Sequence, residues 1–419
     1  MQHVRDSERA PQTEAAEESA LTLSRRRASL STMRVLMRHL PPALRQTLVL
    51  FGVTRLLLAL VTYFDYVLLN VGKYSLASVG VQRLLFSWNH WDALWYEGIA
   101  RAGYEQATQT AFFPLYPLLV RLGTLQGDTP DAGWFYFSGL LISNLAFFFA
   151  LWALRVLAER ECGPETASRA VVYLAVFPTA LYFFAPYNES LFVFLTVACF
   201  LALRRERWWL AGTLGLLASA TRSAGLFLIL PFAVEYLSRR KWQWRRVRAD
   251  ALAVMLIPGG QALYSLYCWM RFGDPLAYAH AQIHWDRVLN WPWTGLWRQV
   301  VGLWQAEPAS FFQAHDLLDL AATLFVLVLL VLGWRRLPRS YSLYTLLLLA
   351  TMVLLPGGGA TGYLDPLASN QRFALEVFPA FMTLGLLVKR PATHQALVIV
   401  FTGLLAALSM VFLSGRWLV

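Results

Sequence analysis

Asp92 sets a single carboxylate among aromatic residues: Trp88, Trp91, Trp95 and Tyr96 surround it, and Phe112, Phe113 and Pro114 follow. A carboxylate beside an acceptor hydroxyl can take its proton as a general base. The segment comes directly after the first membrane-length apolar run. On a helix, Trp88, Asp92, Trp95 and Ile99 would share one face, because residues three and four apart stack. A charge on an apolar face beside a membrane is costly and calls for a functional reason. The competing reading is an amphipathic interfacial helix whose Asp92 caps a turn or meets water.

Four other places carry chemistry. Asn188, Glu189 and Ser190 follow Pro186 in a tight turn, where Asn188 could cap a helix and Glu189 would suit its positive end. Arg222 sits at the join of two short apolar segments and needs a partner, either a lipid-linked phosphate or Glu189. His280 and His284 are four apart, with Asp286 close by. That spacing can bind a metal but lacks a third ligand at fixed spacing, so sugar or phosphate hydrogen bonding and plain interfacial anchoring both remain open. Arg372 opens an apolar run, where it could face a phosphate or snorkel to the interface. Gly357 and the two glycines after it have no preceding strand and no GK[ST] ending, so they are expected to give flexibility and not a phosphate loop.

The elements that must position these residues are membrane helices. The chain has 419 residues, 57% of them hydrophobic and 15% charged, with 17 Trp, more apolar surface than a water-soluble domain needs. Apolar runs of roughly 18 to 22 residues recur, each long enough for about 30 Å of hydrocarbon. They do not alternate as barrel strands would. The reading is an all-α polytopic membrane protein of about 11 transmembrane helices. The spans are expected near 47–69, 135–155, 170–186, 188–203, 208–222, 223–237, 250–270, 316–333, 340–356, 372–388 and 394–413. The stretch 208–237 is read as two short passes meeting near Arg222.

The net charge of +11 is explained by topology. With the N-terminus in the cytoplasm, Arg25 to Arg27, Arg204, Arg205, Arg239 to Lys241, Arg335 and Arg336 all fall inside, as the positive-inside rule requires, and no nucleic-acid partner is implied. Residues 1–45 are expected to be a disordered basic cytoplasmic tail and 46–419 the integral membrane domain, whose first span serves as an uncleaved insertion signal. The outer loops are then 70–134, 271–315 and 357–371, and they hold most of the unusual chemistry. Cys162, Cys199 and Cys268 have no metal-ligand spacing and read as small apolar fillers.

Trp91 and Asp92, then Gly103 and Tyr104, then Phe112 to Pro114 resemble the first lumenal loop of the PIG-V family, the GPI mannosyltransferase II group and its prokaryotic relatives. The similarity continues through Phe177 and Pro178, Tyr187 to Phe192, and Ala220 to Leu226, with weaker echoes at Phe272 to Pro275 and at Arg372 and Phe373. The resemblance implies a glycosyltransferase of the GT-C type. Such enzymes take a sugar from a polyprenyl-phosphate donor on the non-cytoplasmic side. It makes Asp92 the expected catalytic base and points to Glu189 and Arg222 as site-lining. Trp91, Trp95, Tyr96, His280, His284 and Arg372 complete the expected substrate-binding set.

The residues suit that chemistry on their own terms. Glycoside hydrolysis usually needs two carboxylates, one of them to protonate a poor leaving group. A polyprenyl phosphate leaves as a stabilised anion, so one base plus cations suffices. Direct displacement would give an α-linked mannose from a β-linked donor. The expectation is a mannosyltransferase with a polyprenyl-phosphate mannose donor, a lipid or glycan acceptor, membrane lipids around it, and no metal or other cofactor. Its expected place is a bacterial cytoplasmic membrane, with the site on the outer face. The alternatives are a secondary transporter or flippase for a lipid-linked or amphipathic substrate, and a scaffold subunit. Most of the acidic residues lie outside the expected spans, which counts against the transporter.

Overall fold

A computed structural model describes residues 40–69, 84, 86–124, 132–285, 287, 289–357 and 366–416. Asp286 and most of the glycine-rich stretch after Gly357 lie outside these residues, as does nearly all of the expected 1–45 tail. Contacts divide the chain at Val49 into two units. In the first, residues 42–49 are helical; the second, from Leu50 onward, holds every residue of the site described below.

The described residues are helical, with no strand. In chain order the helices are α1 Pro42–Phe64, α2 Asp92–Ala102, α3 Leu115–Gly123, α4 Ala132–Cys162, α5 Pro164–Ala175, α6 Glu189–Arg204, α7 Trp208–Thr221 and α8 Ile229–Arg239. There follow α9 Leu256–Phe272, α10 Ala277–His280, α11 Pro292–Gln305, α12 Phe311–Gly333, α13 Arg339–Leu354, α14 Asn370–Phe373, α15 Phe378–Leu387 and α16 Pro391–Leu413. Five stretches are long and apolar enough to cross a membrane: Pro42–Leu69, Ala132–Cys162, Ala249–Phe272, Phe311–Gly333 and Pro391–Leu413. This is a multi-pass membrane protein.

The count of membrane-length helices differs from the 11 read from hydropathy because some expected spans are interrupted and others, such as α6 and α13, are continuous but only 16 residues long. The expected span 170–186 stops as a regular helix at Ala175, before Pro178, because the residue ahead of a proline is pushed out of the α region. The span expected at 372–388 is split by a 3₁₀ turn at Ala374–Glu376. In 208–237 the chain breaks where expected: α7 ends at Thr221, Arg222 is extended, and a 3₁₀ segment Ser223–Leu228 leads into α8.

Around that break the packing depends on small residues. A Cβ on Gly260 of α9 would lie 2.1 Å from the Leu216 carbonyl of α7, and one on Gly225 would lie 2.3 Å from the Ser219 nitrogen. Both glycines let backbone meet backbone, as small residues do between membrane helices. Ser219 fixes the same contact by donating to the Ile257 carbonyl at 2.5 Å. Arg55, inside the first expected span, donates to Asn144 Oδ1 of α4 at 2.8 Å and to the Phe183 carbonyl at 3.2 Å, and lies over the Phe147 ring.

Candidate active site

The helix carrying Asp92 starts at Asp92 itself, with Trp91 at its N-cap in a positive-φ conformation (φ 56°). Trp88 therefore precedes the helix and does not share a helical face with Asp92. It is buried, and its indole nitrogen donates to Thr62 Oγ1 at 3.0 Å, tying the segment to α1. The Asp92 carboxylate stands at the positive end of α2, where a negative charge is favoured.

Glu189 occupies the equivalent place on α6, as its first residue, and is fully buried. Asn188 makes no side-chain cap bond, contrary to the simplest expectation for it. Its amide instead donates to the Thr221 carbonyl at 3.2 Å, and its Oδ1 accepts from Arg222 at 3.1 Å. Asn188 thus ties the start of α6 to the break after α7, a use the motif alone could not reveal.

Two arginines knit these helix starts together. Arg372 donates from Nη1 to Asp92 Oδ2 at 2.6 Å and from Nε to Glu189 Oε1 at 2.5 Å. Its guanidinium also lies 4.8 Å from the centroid of the Tyr187 ring. Arg222 Nη1 lies 2.9 Å from Glu189 Oε1 and 2.9 Å from Glu376 Oε1. Three carboxylates and two guanidiniums thus form one chain, Asp92, Arg372, Glu189, Arg222, Glu376. Glu189 is one of the two partners expected for Arg222. The structure adds Glu376, a residue not singled out from sequence. A lone Glu inside an expected span is itself a signal, since a membrane carboxylate is costly and seldom idle.

Asp92, Tyr96, Asn188, Arg222, Arg372 and Glu376 line a cavity of about 430 Å³, together with the aromatic residues Phe112, Phe113, Phe227 and Phe373. Burial, with the charges of Glu189 and Asp92, holds the Tyr96 phenol well above its usual range, so it remains a hydroxyl donor. Arg287, also not foreseen, lines the cavity with its guanidinium 5.0 Å from the Phe373 ring centroid. A second, apolar cleft of about 530 Å³ is lined by Ile99, Tyr104, Leu118, Leu216, Leu263 and Tyr267 among others.

The structure brings Asp92, Tyr96, Arg222 and Arg372 to the cavity wall, with Glu189 bonded directly behind them. Trp91, Trp95, His280 and His284 are not among its lining residues. Trp95 stacks on Phe112, with ring centroids 5.7 Å apart. His280 Nδ1 meets Asp274 Oδ2 at 2.7 Å on the exposed surface, and this hydrogen bond holds the Asp274 carboxyl below its usual range. His284 is exposed. From this part of the chain it is Tyr278, Ala279 and Gln282 that face the cavity. Among the described residues no group of three or more His, Cys, Asp or Glu is placed to hold a metal ion.

Fold and site together define a multi-pass helical membrane protein with a buried ionic chain opening onto an aromatic-walled cavity. Residues 49–242 match the mannosyltransferase (PIG-V) family model, over the segment that carries most of the motifs. GPI alpha-1,6-mannosyltransferase 2 of Rattus norvegicus is 35% identical over 218 residues, covering 48% of this chain and 44% of that protein. GPI mannosyltransferase 2 of Schizosaccharomyces pombe is 24% identical over 223 residues, covering 52% and 47%. These matches span less than half the length of either relative. Among solved structures, ArnT from Cupriavidus metallidurans bound to undecaprenyl phosphate aligns with a TM-score of 0.48 at 15% identity, covering 86% of this chain and 63% of that one. The Archaeoglobus fulgidus oligosaccharyltransferase aligns at 0.43 and 13%, covering 85% and 53%.

Proposed function

We propose that the protein is a membrane glycosyltransferase of the GT-C type that moves mannose from polyprenyl-phosphate mannose to a lipid-linked or glycan acceptor. The reaction would take place on the non-cytoplasmic face of a bacterial cytoplasmic membrane. The observation that carries this reading is Asp92: its carboxylate lines an aromatic-walled cavity, held by Arg372, with Arg222 on the same wall. The acceptor oxygen attacks the anomeric carbon as the bond to the phosphate oxygen breaks. The acceptor proton passes to Asp92, and the electron pair leaves with the polyprenyl phosphate, inverting the anomeric centre. Arg222 and Arg372 offset the charge of the departing phosphate, and no metal or other cofactor is called on. The apolar cleft beside α2 suits the hydrocarbon of a lipid substrate.

The test is transfer by purified protein from radiolabelled polyprenyl-phosphate mannose to a lipid extract of the source cell, with Asp92→Asn alongside. Loss of a base is expected to lower the rate by about 10²- to 10⁴-fold in a folded variant. Equal transfer by both proteins removes Asp92 from the mechanism. No transfer by either returns the transporter or flippase reading.

A further inference from the structure

Arg372 is held on α14, a helix of four residues that begins after Ser369 in the left-handed region (φ 72°). So short a helix cannot satisfy its own backbone, because its first N–H groups have no intrahelical acceptor. The N–H groups of Asn370, Arg372 and Phe373 find nearby carbonyls: Leu367 at 3.0 Å and Ser369 at 2.9 and 2.9 Å. The N–H of Gln371, next to Arg372, instead goes to the Asp319 carboxylate of α12, at 2.8 Å. The Gln371 carbonyl accepts from Thr179 Oγ1 at 2.7 Å. The flanking Asn370 side chain donates to Thr323 Oγ1 and to the Met352 carbonyl at 2.9 and 3.1 Å, and Thr323 in turn donates to the Asp319 carbonyl at 2.8 Å.

Asp319 is fully buried nine residues into a membrane-length helix. A carboxylate there is costly. Its Oδ1 grips the backbone one residue from the guanidinium that touches Asp92, and its Oδ2 lies 3.6 Å from His315 Nε2 on the preceding turn. We propose that Asp319 is a positioning residue for Arg372, fixing the α14 backbone so that the guanidinium reaches Asp92 and Glu189 at once. The inference rests on the glycosyltransferase reading for its kinetic consequence, but the backbone grip can be measured without it.

The test compares wild type with Asp319→Asn, which keeps an acceptor oxygen in place, and Asp319→Ala, which removes it. Amide hydrogen exchange of residues 366–376 is read in lipid nanodiscs, and kcat per folded molecule is read by sugar transfer. Asp319→Ala is expected to speed exchange at Gln371 by about tenfold or more, with distant helices unchanged. Its kcat should fall by about 10²-fold, the scale of a roughly 1 Å misplacement, and Asp319→Asn should recover most of both. In an Arg372→Gln background, Asp319→Ala should cost less than about threefold more, because the two act through one contact. A merely structural role would leave the losses additive, and that result overturns the proposal. So does unaltered exchange in Asp319→Ala, or an Asn variant as impaired as Ala. If Asp319→Ala does not fold, Thr179→Val loosens the other side of residue 371 and must show the same local rise in exchange. A wild type that transfers no sugar sinks the functional reading alone; the exchange comparison still decides Asp319.

Discussion

Arg372 Nη1 and Asp92 Oδ2 lie 2.6 Å apart although 280 positions separate the two residues. The family match ends at residue 242, so the cation on Asp92 comes from outside the matched segment. The guanidinium serves two carboxylates on two helix starts, Nη1 to Asp92 and Nε to Glu189. An ammonium is a compact point charge without that fork. Arg372→Lys is therefore expected to lower kcat by about 10- to 100-fold while the protein still folds. In a cycle of Asp92→Asn and Arg372→Gln, the two losses should fall short of additivity by about 1–3 kcal/mol. Additive losses would mean that the contact has no part in the chemistry.

Hydropathy revealed a membrane-helical chain and the break at Arg222, because long apolar runs and a stranded arginine are local signals. It could not show which runs are continuous helices: the interruption at Ala374–Glu376 depends on what packs there, not on composition. Asp92, Glu189 and Arg222 were legible because each stands at a helix start or a break beside a motif. Glu376 and Asp319 lie in apolar runs, where only the cost of a carboxylate in a membrane marks them. His280 was attractive by spacing alone. Its partner, Asp274, is six residues away on an exposed turn, a relation set by the backbone path from α9 into α10.

Gly225 tests how the break holds Arg222. A Cβ there would lie 2.3 Å from Ser219 N and 2.4 Å from Ala218 C, backbone atoms that no rotamer change can move. Gly225→Ala should force the 3₁₀ segment off α7, costing about 1–3 kcal/mol of stability, the range for overpacking. Arg222 should move with it and transfer should fall. Thermal unfolding in detergent, with transfer rates on the folded fraction, reads both. Unchanged stability would show that the segment yields without strain.

Metal removal should leave transfer intact. His280 is occupied with Asp274, and His284 lies outside the lining of the cavity that holds Asp92. EDTA treatment followed by sugar transfer checks this, with His280→Ala expected to retain most of the wild-type rate. Complete loss on chelation, restored by a divalent ion, would move His280 and His284 into the chemistry.

Helix α6 carries an ionic cluster at each end, and only one of them opens on the cavity. At its C-terminus Arg204 meets both oxygens of Glu161 at 2.6 and 2.8 Å and both oxygens of Glu235 at 3.0 and 3.3 Å. Ser340 donates to Glu235 at 2.6 Å, so α4, α6, α8 and α13 converge on this guanidinium. By helix rise it lies roughly 22 Å from Glu189, too far to touch the reacting atoms. The Glu161 and Glu235 side chains are only 6% and 3% exposed. Arg204→Met would leave both acids buried without their cation, and removing one partner of a buried pair costs about 3–5 kcal/mol. The expected outcome is a large drop in Tm with kcat per folded molecule unchanged. Adding Glu161→Gln and Glu235→Gln should restore part of the Tm, because neutral amides no longer need the guanidinium. A loss of kcat at unchanged Tm would instead show that the two ends of α6 are coupled through the helix.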